Sequence, residues 1–210
     1  MTKDQFLRAA SLSADLATRW YPHLVSTMAE FGITTPARQA AFIAQIGTES
    51  GGFKTLSESF NYSIAGLSVF GNRITASQRE QLGRRNGKGP LSLERQRAIA
   101  NLVYANRFSN KAAGDGYKFR GRGLKQITFL DNYLACGRAL GIDLISDPDL
   151  LLQDEYAARS AGWFWKANNC NRFADSGDFT GLTKCIYGGI NGLPDRKARL
   201  QVAQKALGLK

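Results

Sequence analysis

Two glutamates, Glu49 and Glu58, stand on either side of a Gly51-Gly52 break in the stretch QIGTESGGFKTLSES. On a helix starting at Pro36, Phe42, Ile46 and Glu49 share one face, because seven residues return a helix to nearly the same angle. The glycine pair then ends the helix. Glu49 is thus expected in the last turn, on the apolar side, where desolvation and the negative helix end both disfavour its charge and raise its pKa. Glu58 follows in the polar run KTLSES, where a solvated, ionised carboxylate is expected. Two carboxyls whose surroundings separate their proton affinities can divide acid and base work, which is the chemistry of glycoside hydrolysis. The plainer alternative is a helix-end glutamate snorkelling to water and an ordinary loop glutamate, and a spacing of nine does not choose between them.

The elements that must hold this pair read as mostly helical. Thr2-Lys3-Asp4-Gln5 and Thr75-Ala76-Ser77-Gln78 fit capping boxes, and Thr35-Pro36 and Asp147-Pro148 place a cap before a first-turn proline. Helices are expected near 3–10, 13–31 with a break around Pro22, 36–50, 75–82, 92–107, 129–140, 148–166, 178–187 and 194–207. In GDGYKFRGRGLKQIT, residues 114–128, alternation beside glycines predicts a short twisted β-element. No linker, repeat or low-complexity segment divides the 210 residues, so one catalytic domain without an appended wall-binding module is expected.

Composition narrows the function classes. A formal net charge of +11 favours an anionic partner: nucleic acid, a membrane face or a cell-wall polymer. No helix-turn-helix or RNA-recognition signature supports nucleic acid. His23 is the single histidine, and Cys136, Cys170 and Cys185 lack ligand spacing, so neither a metal site nor a cofactor is expected. The cysteines suit buried thiols, with a Cys170–Cys185 bridge as the alternative. His23 precedes every cysteine, and Gly-x-Ser-x-Gly is absent, which argues against cysteine and serine hydrolases. The N-terminus MTKDQFLRAA has no apolar signal core, so synthesis in the cytoplasm is expected. In the C-terminal helix Arg196, Lys197, Arg199 and Lys205 are placed opposite Leu200, Ala203 and Leu207, giving either weak contact with anionic lipid or a docked surface helix.

A larger ordered set joins the two glutamates. Glu49-Ser50-Gly51-Gly52-Phe53, Glu58-x-Phe60-Asn61-Tyr62-Ser63, the run Glu94 to Tyr104, Tyr117-x-Phe119-Arg120-Gly121-Arg122-Gly123-x-x-Gln126-Ile127-Thr128 with Asn132-Tyr133, and Ala157 to Trp165 occur in sequence. Together they resemble the chitinase-like glycoside hydrolases of family 19, in particular the single-domain endolysins with which bacteriophages and prophages cut peptidoglycan. The resemblance implies a mainly α, lysozyme-like fold of two lobes, with a small β-element beside the substrate groove. It implies Glu49 as general acid and Glu58 as general base of an inverting reaction, with the Thr128 hydroxyl on the attacking water and Gln126 and Asn132 on the sugar.

Thr128 also reads as the N-cap of a helix starting at Phe129, and Gln126 and Asn132 as amides serving loop backbone. Arg122 either pairs with a catalytic carboxylate and sits in the substrate site or lies in solvent. Tyr62, Tyr187 and Asn191 complete the expected sugar contacts. Two positions depart from the family pattern: Thr48 stands where many members have His, and Tyr187 where an Asn is common, with stacking by Tyr187 or the amide of Asn191 as substitutes. The implied partners are peptidoglycan strands, met by a monomer, and a holin-type protein that opens the inner membrane so that the enzyme acts in the periplasm. Hydrolysis of chitin, a transglycosylase with one glutamate, and a wall-binding protein without activity are the alternatives.

Overall fold

A computed structural model describes residues 1–209. Among the described residues eleven α-helices form: α1 (Lys3–Ala9), α2 (Ala14–Glu30), α3 (Pro36–Glu49), α4 (Ala76–Leu82), α5 (Leu93–Val103), α6 (Asp115–Lys118), α7 (Leu130–Leu140), α8 (Asp154–Ala167), α9 (Asn171–Ser176), α10 (Phe179–Tyr187) and α11 (Leu193–Ala206). Tighter 3₁₀ turns cover Gly66–Arg73 and Pro148–Leu152. Both capping boxes form, at Thr2 with Gln5 and at Thr75 with Gln78, and Thr35 caps α3 with Pro36 in its first turn.

Several expectations are corrected. Helix α2 runs through Pro22 without interruption, because burial of Trp20, Leu24 and Met28 along one face outweighs the one helical hydrogen bond that proline removes. The span 148–166 divides: Asp147 caps a short 3₁₀ turn, and α8 starts afresh at Asp154. Helix α9 and the 3₁₀ turn over Gly66–Arg73 were not expected. The β-element of 114–128 reduces to isolated antiparallel bridges, Ser57 with Arg122 and Arg122 with Ile127, and residues 115–118 form a helical turn instead.

Three apolar cores follow from this order. The largest gathers α1, α2, α3, α8, α10 and α11 around Trp20, Phe42, Ile46, Phe53 and Trp165. A second surrounds Phe60, Leu67, Ile74, Ile99 and Val103. The third packs α7 through Tyr133, Cys136 and Leu140 with Phe119 and Ile127, and meets the first across Phe31 and Phe164. Residues 40–47 of α3 are all buried, so this helix is the axis of the first core. Its end is sharp: Gly51 and Gly52 take φ of +57° and +75°, and the Gly52 N–H returns to the Gly47 carbonyl at 2.7 Å. The chain stays with the first core through Phe53 and Leu56 and enters the second at Phe60. Glu49 therefore belongs to the first core, and Glu58 stands at the border of the two.

Candidate active site

Glu58 sits half-buried just before the second core. Its Oε1 accepts the Tyr104 hydroxyl at 2.7 Å and its Oε2 the Gly121 N–H at 3.0 Å. Burial pushes its carboxyl above the ordinary carboxylate range, while Tyr104, the Gly121 N–H and the charge of Arg120 only partly offset that. This reverses the expectation of a solvated Glu58. The run KTLSES looks polar, but Tyr104 and Tyr62 close over its glutamate. Both phenols are themselves raised, first by burial and then by the neighbouring Glu58 charge.

Glu49 ends α3 with its side chain about nine-tenths buried, and the apolar surroundings expected for it are replaced by two cations. Arg196 of α11 bonds its Oε1, and Lys125 Nζ lies 3.5 Å from its Oε2. The Arg196 guanidinium also donates to Gln45 Oε1 at 2.5 Å, and Gln45 Nε2 donates to the Thr183 hydroxyl at 2.9 Å. Thr48 donates to Asp195 at 2.8 Å. Partial burial works against the Asp195 charge, but Thr48 and Arg199 hold its carboxyl below the usual range.

One loop touches both carboxylates. Residues 121–126 bring the Gly121 N–H to Glu58 and the Lys125 ammonium to Glu49. Residue 121 passes close to both side chains: a Cβ there would lie 2.9 Å from Gln126 Oε1 and 3.3 Å from Glu58 Oε2, so either would have to shift. Gln126 is therefore beside Glu58, with φ of +59° and its Nε2 donating to the Gly123 carbonyl at 2.8 Å.

The remaining expected site residues fall into four groups. Tyr62 is brought to Glu58. Tyr187, half-exposed at the end of α10, lies with its ring 5.5 Å from the Arg196 guanidinium, and Asn191 Nδ2 is 3.5 Å from the Tyr187 hydroxyl, which places both on the Glu49 side. The side chains of Thr128 and Asn132 are both tied to loop backbone. The Thr128 hydroxyl donates to the Gln126 carbonyl at 2.9 Å and Asn132 Nδ2 to the Thr128 carbonyl at 2.8 Å. Thr128 is not an N-cap: Phe129 occupies that position with φ of +75°, and the first N–H of α7, that of Leu130, is taken by Asn110 Oδ1 at 3.0 Å. Arg122 is taken away from the site. It is buried, its Nε donates to Asp149 at 2.7 Å, and its Nη1 donates to the Lys118 carbonyl and the Tyr133 hydroxyl. Its role is to brace the loop against α7, neither of the two roles expected for it.

With this geometry in place, comparison with known proteins becomes informative. The chitinase class I family profile matches residues 83–181. A glycosyl hydrolase family 19 domain-containing protein of Haemophilus influenzae is 36% identical over 183 residues, covering 84% of this chain and 83% of the relative. The chain belongs to glycoside hydrolase family 19. Endochitinase 1 of Theobroma cacao is 46% identical over 57 residues, 27% of this chain and 18% of the plant protein. Among solved structures, a bacterial family 19 chitinase superposes with a TM-score of 0.64 at 20% identity over 100% of this chain and 95% of its own. Chitinase C of Streptomyces griseus gives 0.62 at 18%, covering 100% and 77%. These structural likenesses establish the mainly helical family 19 fold.

As a family 19 glycoside hydrolase, the protein holds its two glutamates with groups that spacing in the sequence did not single out. Tyr104 closes the matched run from Glu94, yet nothing near it in sequence marks it as a partner of Glu58, 46 residues away. Arg196 was placed on the solvent face of its helix opposite Ala203, but the two are seven residues apart and share a face, and both are buried. That spacing was the available signal. Lys125 lies inside the Gly-Arg-Gly-x-Lys-Gln run itself. The docked reading of the C-terminal helix holds, since α11 packs along α3 in the first core.

Proposed function

We propose that this family 19 hydrolase cleaves β-1,4 glycosidic bonds of bacterial peptidoglycan, with Glu49 as general acid and Glu58 as general base, by inversion. The observation that carries the pair is the 121–126 loop, which fixes both carboxylates from opposite ends of six residues. The raised proton affinity of Glu58 suits a base, which must take a proton from water. A carboxyl accepting from a phenol and a backbone N–H is also held in one rotamer, ready to orient that water. Thr128 completes the water site, and Gln126, Asn132, Tyr62, Tyr187 and Asn191 contact the sugars. The charge of +11 supports a polyanionic wall polymer over neutral chitin. The lytic role of an endolysin, working as a monomer and reaching the wall through a partner that opens the inner membrane, belongs to the same proposal.

Chitin is the second reading, favoured by the endochitinases among the relatives. Digesting purified peptidoglycan and chitin oligomers with wild type, Glu49→Gln and Glu58→Gln, followed by mass spectrometry and NMR of the new anomeric proton, separates the two. Reducing-end muropeptides of inverted configuration from wild type, and almost none from either variant, are expected. Release of sugar from chitin oligomers alone overturns the peptidoglycan reading, and full activity of the Glu49 variant overturns the site.

A further inference from the structure

A polar cavity of about 450 Å³ opens beside the segment that follows Glu58, and its lining includes Arg84, Arg85, Lys88, Ser92 and Arg95 but no acidic residue. Arg85, Lys88 and Arg95 are exposed. Among the described residues none of the four cations has a carboxylate within 4.0 Å, whereas seven other ion pairs form elsewhere on the molecule. The Arg84 Nε is shielded from solvent and has no hydrogen-bond partner, which costs free energy unless a ligand or water uses the guanidinium. The cavity also meets the first turn of α5, where Ser92 caps the Arg95 N–H and the helix end favours negative charge. Four unpaired cations around one concavity repel each other and are relieved by an anion.

The cavity is built onto the site. The Arg84 N–H donates to the Tyr62 carbonyl at 2.9 Å and the Ile64 N–H to the Arg84 carbonyl at 3.2 Å. The Leu91 N–H donates to Asn61 Oδ1 at 2.9 Å. Its wall is therefore stapled to residues 61–64, and the nearer staples, at Asn61 and Tyr62, lie three and four residues beyond Glu58, a span of at most about 14 Å of chain. A short peptide hanging from a sugar bound at Glu58 reaches that far. Guanidinium groups pair with carboxylates through charge-assisted, often bidentate hydrogen bonds.

We propose that this cavity binds a free carboxylate of the stem peptide carried by the glycan strand, an inference that rests on the peptidoglycan reading above. Chitin has no such group, so the cavity would set preference for stem-bearing substrate. The test compares glycan strands bearing stem peptides, strands whose stem carboxylates have been amidated, and bare strands freed of stems by an amidase. Three proteins are assayed: wild type, Arg85→Gln/Lys88→Gln/Arg95→Gln, and the charge-matched control Lys3→Gln/Arg8→Gln/Lys205→Gln on α1 and α11.

On stem-bearing strands the cavity variant is expected to show a KM about tenfold higher with kcat within about twofold, and the control no change. On amidated and bare strands all three proteins should agree. Equal loss in the control means net charge alone, and loss of the cavity variant on bare strands, or on none, equally overturns the proposal. A free stem tetrapeptide titrated into each protein reads the cavity without cleavage. Shifts of the Arg84 and Arg95 amide resonances in wild type that vanish in the cavity variant support it, and no shift at millimolar tetrapeptide overturns it. If wild type leaves every strand preparation intact but cuts chitin oligomers, the peptidoglycan reading fails, and the titration still decides the cavity.

Discussion

Tyr104 and Glu58 form the contact on which the division of roles is most directly tested. The phenol hydroxyl donates to the carboxylate at 2.7 Å and so favours its charged form against the burial that opposes it. Tyr104→Phe removes that donor and raises the Glu58 pKa further. If Glu58 is the base, it must be ionised to work, so the acidic limb of the kcat/KM profile moves to higher pH while the alkaline limb stays. Movement of the alkaline limb instead would assign Glu58 as the acid. The same burial has a stability consequence. A carboxyl whose folded pKa is raised contributes stability that is complete below its unfolded value, near 4.5, and is lost as pH rises through the folded value. Glu58→Gln, which has no charge to desolvate, keeps both contacts if its Nε2 turns to the Tyr104 oxygen and its Oε1 to the Gly121 N–H. The variant is expected to melt higher than wild type at pH 7, with the gain vanishing below pH 4.5. A melting temperature lowered equally at both would contradict the burial argument. At this scale the sequence disclosed the two glutamates and misjudged their surroundings, because a phenol 46 residues away and an arginine 147 residues away have no local signature.

Helix α3 and helix α11 are joined by the pair that also grips Glu49, so a catalytic group and a helix contact depend on one arginine. Arg196 is nearly fully buried, and Arg196→Met leaves the Gln45 oxygen bare and Glu49 with Lys125 alone. Breaking one side of a buried pair costs about 3 kcal/mol, which corresponds to a fall in Tm of roughly 6–12 °C for a chain of this size. Glu49→Gln/Arg196→Met should recover most of that loss in a melt while remaining inactive, which separates the structural from the chemical part of the pair. A second test lies between α9 and α10. Cys170 precedes α9, Cys185 sits in α10, and their sulfurs are 4.0 Å apart, both free. Oxidation with a mild thiol oxidant, which takes up two protons and two electrons, is expected to lower the mass by two hydrogen atoms and stabilise the fold by about 3 kcal/mol, the effect of closing a loop of some 15 residues. An unchanged mass under oxidant, or a lower Tm once bridged, would show that the helices cannot bring the sulfurs together. The helices were legible wherever caps marked them, as at Thr2, Thr35 and Thr75. The 119–128 loop was not, because its shape comes from Arg122, whose contacts with Asp149 and Tyr133 are made across the fold.

Across the whole molecule, the excess of 28 basic over 17 acidic side chains is spread along the chain, and its effect on function should depend on the range of the field. Exposed charges act over about 10 Å at 0.1 M salt and about 3 Å at 1 M. A long-range contribution to capture of an anionic wall therefore fades steeply as salt rises, whereas the Glu49 pairs with Arg196 and Lys125, shielded from water, are screened far less. The expected outcome is a rate on intact peptidoglycan that falls at least several-fold between about 0.05 and 0.5 M salt, through KM and not kcat. The rate on neutral chitin oligomers, measured in the same buffers, should stay within about twofold, since no charge on that substrate answers the protein's field. The comparison assigns the charge its task. If both substrates respond alike, salt is acting on the protein and not on its meeting with the polymer, and the net charge then has no part in choosing the wall.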